Sequence, residues 1–479
     1  MRILICASEI VPFAKTGGLA DVAGALPRAL VELGHDVRVA LPNYAAVDQK
    51  KARPEPAGEV RVPVGEETVS VEVLLSRAVP GVPAYLVEAP EYFHRKALYG
   101  EPDDAVRFAV FCRALLEFLR RDAWRPKVIH CSDWQTALIP TYLRQDYAAD
   151  PRLNQIATLF TIHNFAYQGL FNREVMEEIG LSAGLFTPDG VEFYGQLNLM
   201  KAGLRYSDLL STVSPTYAKE MQTAEFGERL EGVLAGRTQD LFGVLNGIDY
   251  DEWSPATDPH LAARYDVHTL AGKAKCKADL QRRLKLPEAS GVPLFGLVSR
   301  LASQKGLDLL AEALPRLLRL DVQFALLGSG DAVYQDLMVE LAKEHPKKMA
   351  TVTGFDDPLA HRIYAGVDFF VMPSHYEPCG LGQLISLRYG TIPIVRRTGG
   401  LADTIEDFDE RTGEGNGFSF EERSPLALLG TCCRAMMVRS DAGLWPQLVR
   451  NAMAGDFSWD RSAQEYVRLY ELARARHGS

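Results

Sequence analysis

Lys15-Thr16-Gly17-Gly18-Leu19-Ala20-Asp21 lies between an apolar run, Ile3-Leu4-Ile5-Cys6-Ala7, and a stretch in which Val22, Leu26, Ala29, Leu30 and Leu33 recur near helical spacing. The run reads as a buried strand and the recurrence as an amphipathic helix. His35-Asp36-Val37-Arg38-Val39-Ala40-Leu41 follows as a second strand, so the first 42 residues make a βαβ unit and point to an α/β fold. Glycines let backbone approach a ligand because no Cβ intervenes. The helix start adds N–H groups and partial positive charge, and Lys15 adds a full charge. This suits a phosphate. The spacing matches neither G-x-x-x-x-G-K-[ST] nor G-x-G-x-x-G. Two readings therefore fit: an anion site at a strand–helix turn, and an ordinary βα turn with a surface lysine.

Outward from this unit the rhythm changes and returns. Val60–Val64 and Val69–Val73 alternate at period two around Gly65-Glu66-Glu67, which predicts an antiparallel hairpin or meander inserted in an α/β domain. Asp103–Arg121 reads as a helix. Strands are expected at Val128–Cys131, Ala157–Ile162, Leu209–Val213 and Leu241–Leu245. The turn-rich Asn246–Pro255 marks a boundary. A second series follows, with strands at Leu294–Val298, Val322–Leu327, Ala350–Thr353, Val367–Met372 and Thr391–Val395. Apolar strands separated by helices imply parallel sheets covered on both faces. The expected organisation is a doubly wound domain over 1–245, a second over 246–457, and a helical C-terminal segment, 458–479. Ligands of such sheets sit beyond the carboxyl ends of the strands.

Composition narrows the classes. The chain has 479 residues, too many for one ordinary core. With 47% hydrophobic and 24% charged residues it is globular, and its net charge of −10 argues against a nucleic-acid or anionic-membrane binder. Its seven scattered cysteines form no C-x-x-C, and no apolar run reaches the ~20 residues that span a bilayer. A reduced, cytoplasmic protein is expected, with no dinucleotide fingerprint and no legible metal-ligand cluster.

Candidate residues recur just after strands. Arg300 and Lys305, in Ser299–Gly306, are expected to open a helix and meet a diphosphate, since cations at that end of a helix are favourable only with an anion bound. Leu327-Gly328-Ser329-Gly330-Asp331 reads as a glycine loop. Glu377 stands before Cys379-Gly380-Leu381, whose amides suit hydroxyls or phosphate oxygens, and is either a base, a sugar ligand or a helix-start carboxylate. Thr398-Gly399-Gly400-Leu401-Ala402-Asp403 repeats the wording of the opening stretch and is expected to present amides to an anion across a cleft. His163 ends one strand. Asp133, beside Trp134, ends another, either as a helix cap or as a sugar ligand next to an aromatic face. Together they suit an enzyme acting on a phosphorylated or nucleotide-linked sugar.

Lys15–Val22, Thr161-Ile162-His163-Asn164, Asn246-Gly247-Ile248-Asp249, Arg300-Leu301 with Gln304-Lys305-Gly306, Glu377–Leu381 and Arg396–Leu401 resemble bacterial glycogen synthase and plant starch synthase, in order and over nearly the whole chain. The resemblance implies a GT-B glycosyltransferase of two Rossmann-like domains, with the helix of 458–479 packing back on the first, that transfers glucose from ADP-glucose to the non-reducing end of an α-1,4-glucan with retention, and without a metal or cofactor. It implies Lys15, Gly17 and Gly18 against the phosphates, and Arg300 and Lys305, with Gln304 in the same motif, on the diphosphate. His163 would turn its main-chain carbonyl to the developing oxocarbenium ion. Glu377 would bind a glucose hydroxyl, with Cys379, Gly380 and Leu381 nearby. Asp21, Asp133 and Asn246 would lie near donor glucose or acceptor, and Phe355 against adenine. Ile385 stands where related retaining enzymes have a second Glu, and Gly382 where the family usually has Thr. Two alternatives are a UDP-glucose transferase acting on a small acceptor and a non-catalytic glucan-binding protein.

Overall fold

The computed structural model describes residues 1–477, and in it the opening strand is the middle of a nine-stranded sheet. The chain divides into two compact units, residues 1–246 with 459–477, and Gly247–Ser458. The strands of the first are β1 (Arg2–Cys6), β2 (Asp36–Pro42), β3 (Glu55–Val64), β4 (Glu67–Ser76), β5 (Ala84–Glu88), β6 (Val128–Ser132), β7 (Ala157–Ile162), β8 (Leu170–Phe171), β9 (Glu192–Phe193), β10 (Gln196–Asn198), β11 (Leu209–Thr212) and β12 (Leu241–Gly243). The large sheet runs β12-β11-β7-β6-β1-β2-β5-β4-β3. Its pairs are parallel from β12 to β5. The hairpin is antiparallel as read, but it is no separate insertion: β4 pairs with β5 and extends the same sheet. Its inward residues, among them Val60, Val62, Val71 and Val73, are buried, and β3 lies against the helix Asp104–Arg121. A small sheet, β8-β10-β9, has strands too short to show alternation in the sequence.

The last helix, Trp459–His477, belongs to this core through Trp459, Ala463, Tyr466, Leu469, Tyr470 and Ala473. A buried polar chain fastens it. Tyr470 OH lies 2.9 Å from His130 Nδ1, His130 Nε2 lies 2.6 Å from Thr161 Oγ1, and Thr161 Oγ1 lies 2.5 Å from Ser211 Oγ. Each ring nitrogen of His130 thus has a partner, as a buried imidazole needs.

The second unit holds an all-parallel sheet of β13 (Leu294–Leu301), β14 (Gln323–Gly330), β15 (Met349–Thr353), β16 (Phe369–Met372), β17 (Ile392–Arg396) and β18 (Phe418–Phe420), ordered β15-β14-β13-β16-β17-β18. Two expectations are corrected here. The 328–330 stretch is not a loop but the end of β14, paired with β13 as far as Leu301. A Cβ on Gly328 would lie 2.2 Å from Ser299 O, and on Gly330 2.3 Å from Leu301 O, so only glycine allows the strands to run on. Arg300 consequently still belongs to β13, and Lys305 lies in a single 3₁₀ turn, Ser303–Lys305, ahead of the helix Leu307–Leu317.

Candidate functional site

Strand order reverses beside β1 in the first unit and beside β13 in the second. At such a switch point the loops leaving neighbouring strands part and open a crevice. In the first unit these loops follow β1 and β6; in the second they follow β13 and β16. The predicted residues fall largely on these four loops.

In the first unit the loop after β1 has an internal anion. Glu9 is buried, and its Oε2 accepts from Thr16 N, from Thr16 Oγ1 at 2.7 Å and from Gly17 N at 3.3 Å. The amides expected to meet a phosphate thus face a carboxylate of the protein. Burial pushes the Glu9 pKa up, against the three hydrogen bonds. Lys15 Nζ pairs with Asp21 Oδ1 at 2.6 Å, both half-exposed. The sequence reading missed Glu9. Its signal was a carboxylate directly after a buried strand.

After β6, Asp133 does not cap the next turn. Its carboxylate accepts from His163 N at 2.7 Å and from the Asn164 amide. Its backbone has φ 57° and ψ −179°, a region almost reserved for glycine. Burial raises the Asp133 pKa to about 7, against these two hydrogen bonds. Desolvation also takes the His163 imidazole down to about 3, so it is neutral near pH 7. Trp134 offers no open face to a sugar: it is buried against Phe108 and Phe171. Asn246 is buried, and its Oδ1 has no hydrogen-bond partner among the described residues.

In the second unit Lys305 Nζ meets Glu377 Oε2 at 2.7 Å, joining the loop after β13 to the loop after β16. Ser374 Oγ donates to the same oxygen at 3.0 Å. Gln304 Nε2 donates to Tyr376 O at 3.3 Å, and His375 N to Gln304 O at 2.9 Å, so the two loops are one framework. Arg300 is exposed at the end of β13. Thr398, Gly399 and Gly400 are buried, and Gly400 N donates to Glu377 O at 3.1 Å. The Gly400 amide is thus taken by the protein rather than presented to an anion, and the second Thr-Gly-Gly seats the Glu377–Cys379 backbone. Cys379 is buried, while Gly380 and Leu381 are half-buried ahead of the helix Gly382–Arg388. A Cβ on Gly382 would meet Phe370 Cε1 at 2.9 Å and Tyr364 OH at 3.3 Å, which accounts for the missing threonine. Phe355 is 83% exposed, an aromatic ring with little packing of its own.

Residues 2–236 match the family model for the starch synthase catalytic domain, and 281–431 the model for glycosyl transferases group 1. A glycogen synthase of Desulforudis audaxviator is 49% identical, covering 99% of this chain and 96% of the relative. Glycogen synthase 2 of Geobacter sulfurreducens is 49% identical over 99% of each chain. The chain belongs to the glycogen and starch synthase family. The catalytic domain of starch synthase IV from Arabidopsis thaliana, solved with ADP and acarbose, superposes with a TM-score of 0.93 at 36% identity and 99% coverage of both chains. A sucrose-phosphate synthase from Thermosynechococcus elongatus shares the fold, with a TM-score of 0.62 at 17% identity and 99% coverage of both chains. As a family member the chain is a GT-B glycosyltransferase, built from the two parallel-sheet units described above.

Proposed function

We infer that the chain transfers glucose from ADP-glucose to the non-reducing end of an α-1,4-glucan, with retention at the anomeric carbon. The observation that carries this reading is the full-length identity of 48–49% with glycogen synthases. Arg300 and Lys305 hold the diphosphate, and their charge grows in value as negative charge develops on departing ADP. Gln304 ties their loop to the loop of Glu377. Glu377 binds a glucose hydroxyl while its Oε2 keeps Lys305 Nζ aimed. Cys379, Gly380 and Leu381 supply neighbouring backbone, seated by Thr398, Gly399 and Gly400. Phe355 stacks on adenine. Lys15, Gly17 and Gly18 lie against the nucleotide-sugar phosphates, Asp21 lies near the donor glucose or acceptor, and the orphaned Oδ1 of Asn246 accepts from a sugar hydroxyl.

Asp133 acts through His163. Its carboxylate takes the N–H groups of residues 163 and 164. In a trans peptide the carbonyl points opposite the next N–H, so the bond to Asn164 N turns the His163 carbonyl away from Asp133 and fixes its direction. That carbonyl stabilises the oxocarbenium-like centre, and the neutral imidazole adds no opposing charge. Ile385 packs in the core with Leu384 and Tyr389, so the helix after Glu377 supplies no carboxylate nucleophile there. The acceptor hydroxyl therefore attacks on the face that ADP leaves: the C1–O bond to diphosphate breaks, the new C1–O bond forms, and the hydroxyl proton passes to the departing phosphate oxygen. We place the reaction in the cytoplasm, in keeping with seven free cysteines, six of them buried. No helix among the described residues is long and apolar enough to cross a membrane.

The test is donor competition among ADP-, UDP- and GDP-glucose with a glycogen primer. Chain elongation with release of ADP is expected. Preference for UDP-glucose with a small acceptor, or glucan binding without nucleotide release, would overturn the reading.

A further inference from the structure

Three side chains converge in the second unit on a feature the transfer reaction does not use. Asp357 and His361 stand four residues apart on the helix Asp357–Gly366 and share its face. His260 comes from the segment that follows the Asn246–Pro255 turn. Each offers one ligand atom, and the three atoms lie within 4.8 Å of one another. No motif spacing in the sequence announces this grouping, because His260 is far from the helix in the chain. The signal that was present is the i,i+4 pair of Asp357 and His361.

The surroundings are those of an oriented ligand set. His361 Nδ1 lies 2.8 Å from Asp258 Oδ2. The carboxylate accepts the Nδ1 proton and leaves Nε2 with its lone pair, the arrangement that orients metal-binding histidines. Asp258 is itself fixed, by Tyr389 OH at 2.6 Å and by His260 N at 2.8 Å. One buried carboxylate thus holds the ring of one histidine and the backbone of the other. Trp253 stacks on the His361 ring, centroids 4.0 Å apart and planes 12° apart, so the ring cannot swing away. His361 Nε2 and Asp357 Oδ2 are 3.9 Å apart, within ion-pair reach but too far for a hydrogen bond, so no direct hydrogen bond closes the group.

We propose that His260, Asp357 and His361 bind a divalent first-row transition ion, of which Zn²⁺ is the probe. Two imidazoles and one carboxylate suit Zn²⁺ and its neighbours rather than Mg²⁺ or Ca²⁺. A fourth position is left for water. The side chain of Asp357 is half-exposed, so small rotations bring the three atoms onto one ion. The ion staples the segment bearing Trp253, Asp258 and His260 to the helix that starts after Phe355.

The full chain is stripped with a chelator and titrated with Zn²⁺ by calorimetry and with Co²⁺ by visible absorption, alongside melting curves. One equivalent is expected, with ligand-field bands for Co²⁺ and a rise in Tm with Zn²⁺. His260→Gln and Asp357→Asn each weaken binding by about tenfold or more and abolish the Tm rise. Both side chains reach the surface, so metal-free melting near the parent value shows that the variants fold. Absence of saturable binding, binding unchanged in both variants, or binding lost only in Cys433→Ser would overturn the proposal.

Discussion

Thr-Gly-Gly-Leu-Ala-Asp occurs twice, at 16–21 and at 398–403, and the two copies do different work. In the first, the loop is largely exposed, Gly17 has extended backbone with φ −151°, and a Cβ there would rest 3.6 Å from Glu9 Oε1, an ordinary contact. In the second, the glycines are buried, Gly399 has φ 45°, and added Cβ atoms would come within 2.0 Å of Glu377 O and 2.2 Å of Cys379 O. The first copy takes a protein carboxylate onto its amides. The second is the floor under the loop that carries Glu377. Identical wording marks a strand–helix turn in both, but burial decides whether the turn stays open or packs under the backbone beside it. The charges differ in parallel. The first unit holds Glu9 and Asp133 on backbone donors, and burial raises both pKa values. The second pairs Lys305 with Glu377 directly.

The largest effect should come from removing the paired charge. Lys305→Ala deletes the cation paired with Glu377 and, on the proposed role at the diphosphate, is expected to lower kcat by about 10²–10³-fold, the range for one preorganised electrostatic donor. Lys15→Ala removes a half-exposed cation already shared with Asp21, and water screens such a pair. It should cost less in kcat. Steady-state kinetics of both variants with saturating primer makes the comparison. Equal losses would mean that the two lysines face the developing charge alike.

Next is the packing contrast. Gly399→Ala must relieve a positive φ and a collision with a backbone oxygen, and should cost about 3 kcal/mol of stability. Gly17→Ala should stay within about 0.5 kcal/mol, as for a surface change away from special features. Denaturant unfolding of the two variants tests this. A Gly17→Ala loss as large as that of Gly399→Ala would show that the first copy is also a packing device.

Much of this architecture was legible because long apolar strands and intervening helices carry a periodic signal. What was not legible depended on partners distant in sequence. Gly328 and Gly330 read as a loop because glycine usually breaks strands. Only the closeness of Ser299 and Leu301 makes them a strand requirement. Trp134 read as a sugar platform, but Phe108 and Phe171 come from elsewhere in the chain to bury it. Lys305 and Glu377 could be named from their positions after strands, whereas their direct pairing could not.

Asp133 sharpens the contrast by a smaller margin. Its φ of 57° with ψ near 180° is a conformation that glycine adopts freely. Asp133→Gly is expected to relieve about 1–2 kcal/mol of backbone strain, offset in part by loss of the bonds to residues 163 and 164. Its Tm should therefore remain near the parent value or rise, while kcat falls because the His163 carbonyl is no longer held. A drop in Tm as large as that of Gly399→Ala would place Asp133 with the structural residues.

A last contrast lies in the pH profile of stability, and it separates the buried carboxylates of the first unit from the paired one of the second. Asp133 has a folded pKa of about 7, above an unfolded value of about 3.9. The folded state therefore favours its protonated form. Whatever stability this contributes is complete below the unfolded pKa and is lost as pH rises through about 7. Glu9, also raised, acts in the same direction. Asp133→Asn keeps an acceptor oxygen for the two amides and cannot ionise. Relative to this variant, the parent chain should lose Tm between about pH 4 and pH 7, and the gap should be constant at higher pH. A gap that does not change with pH, or that narrows as pH rises, would show that the Asp133 carboxylate is stabilised by its two backbone donors more than it is penalised by burial, and would erase the electrostatic difference between the two units.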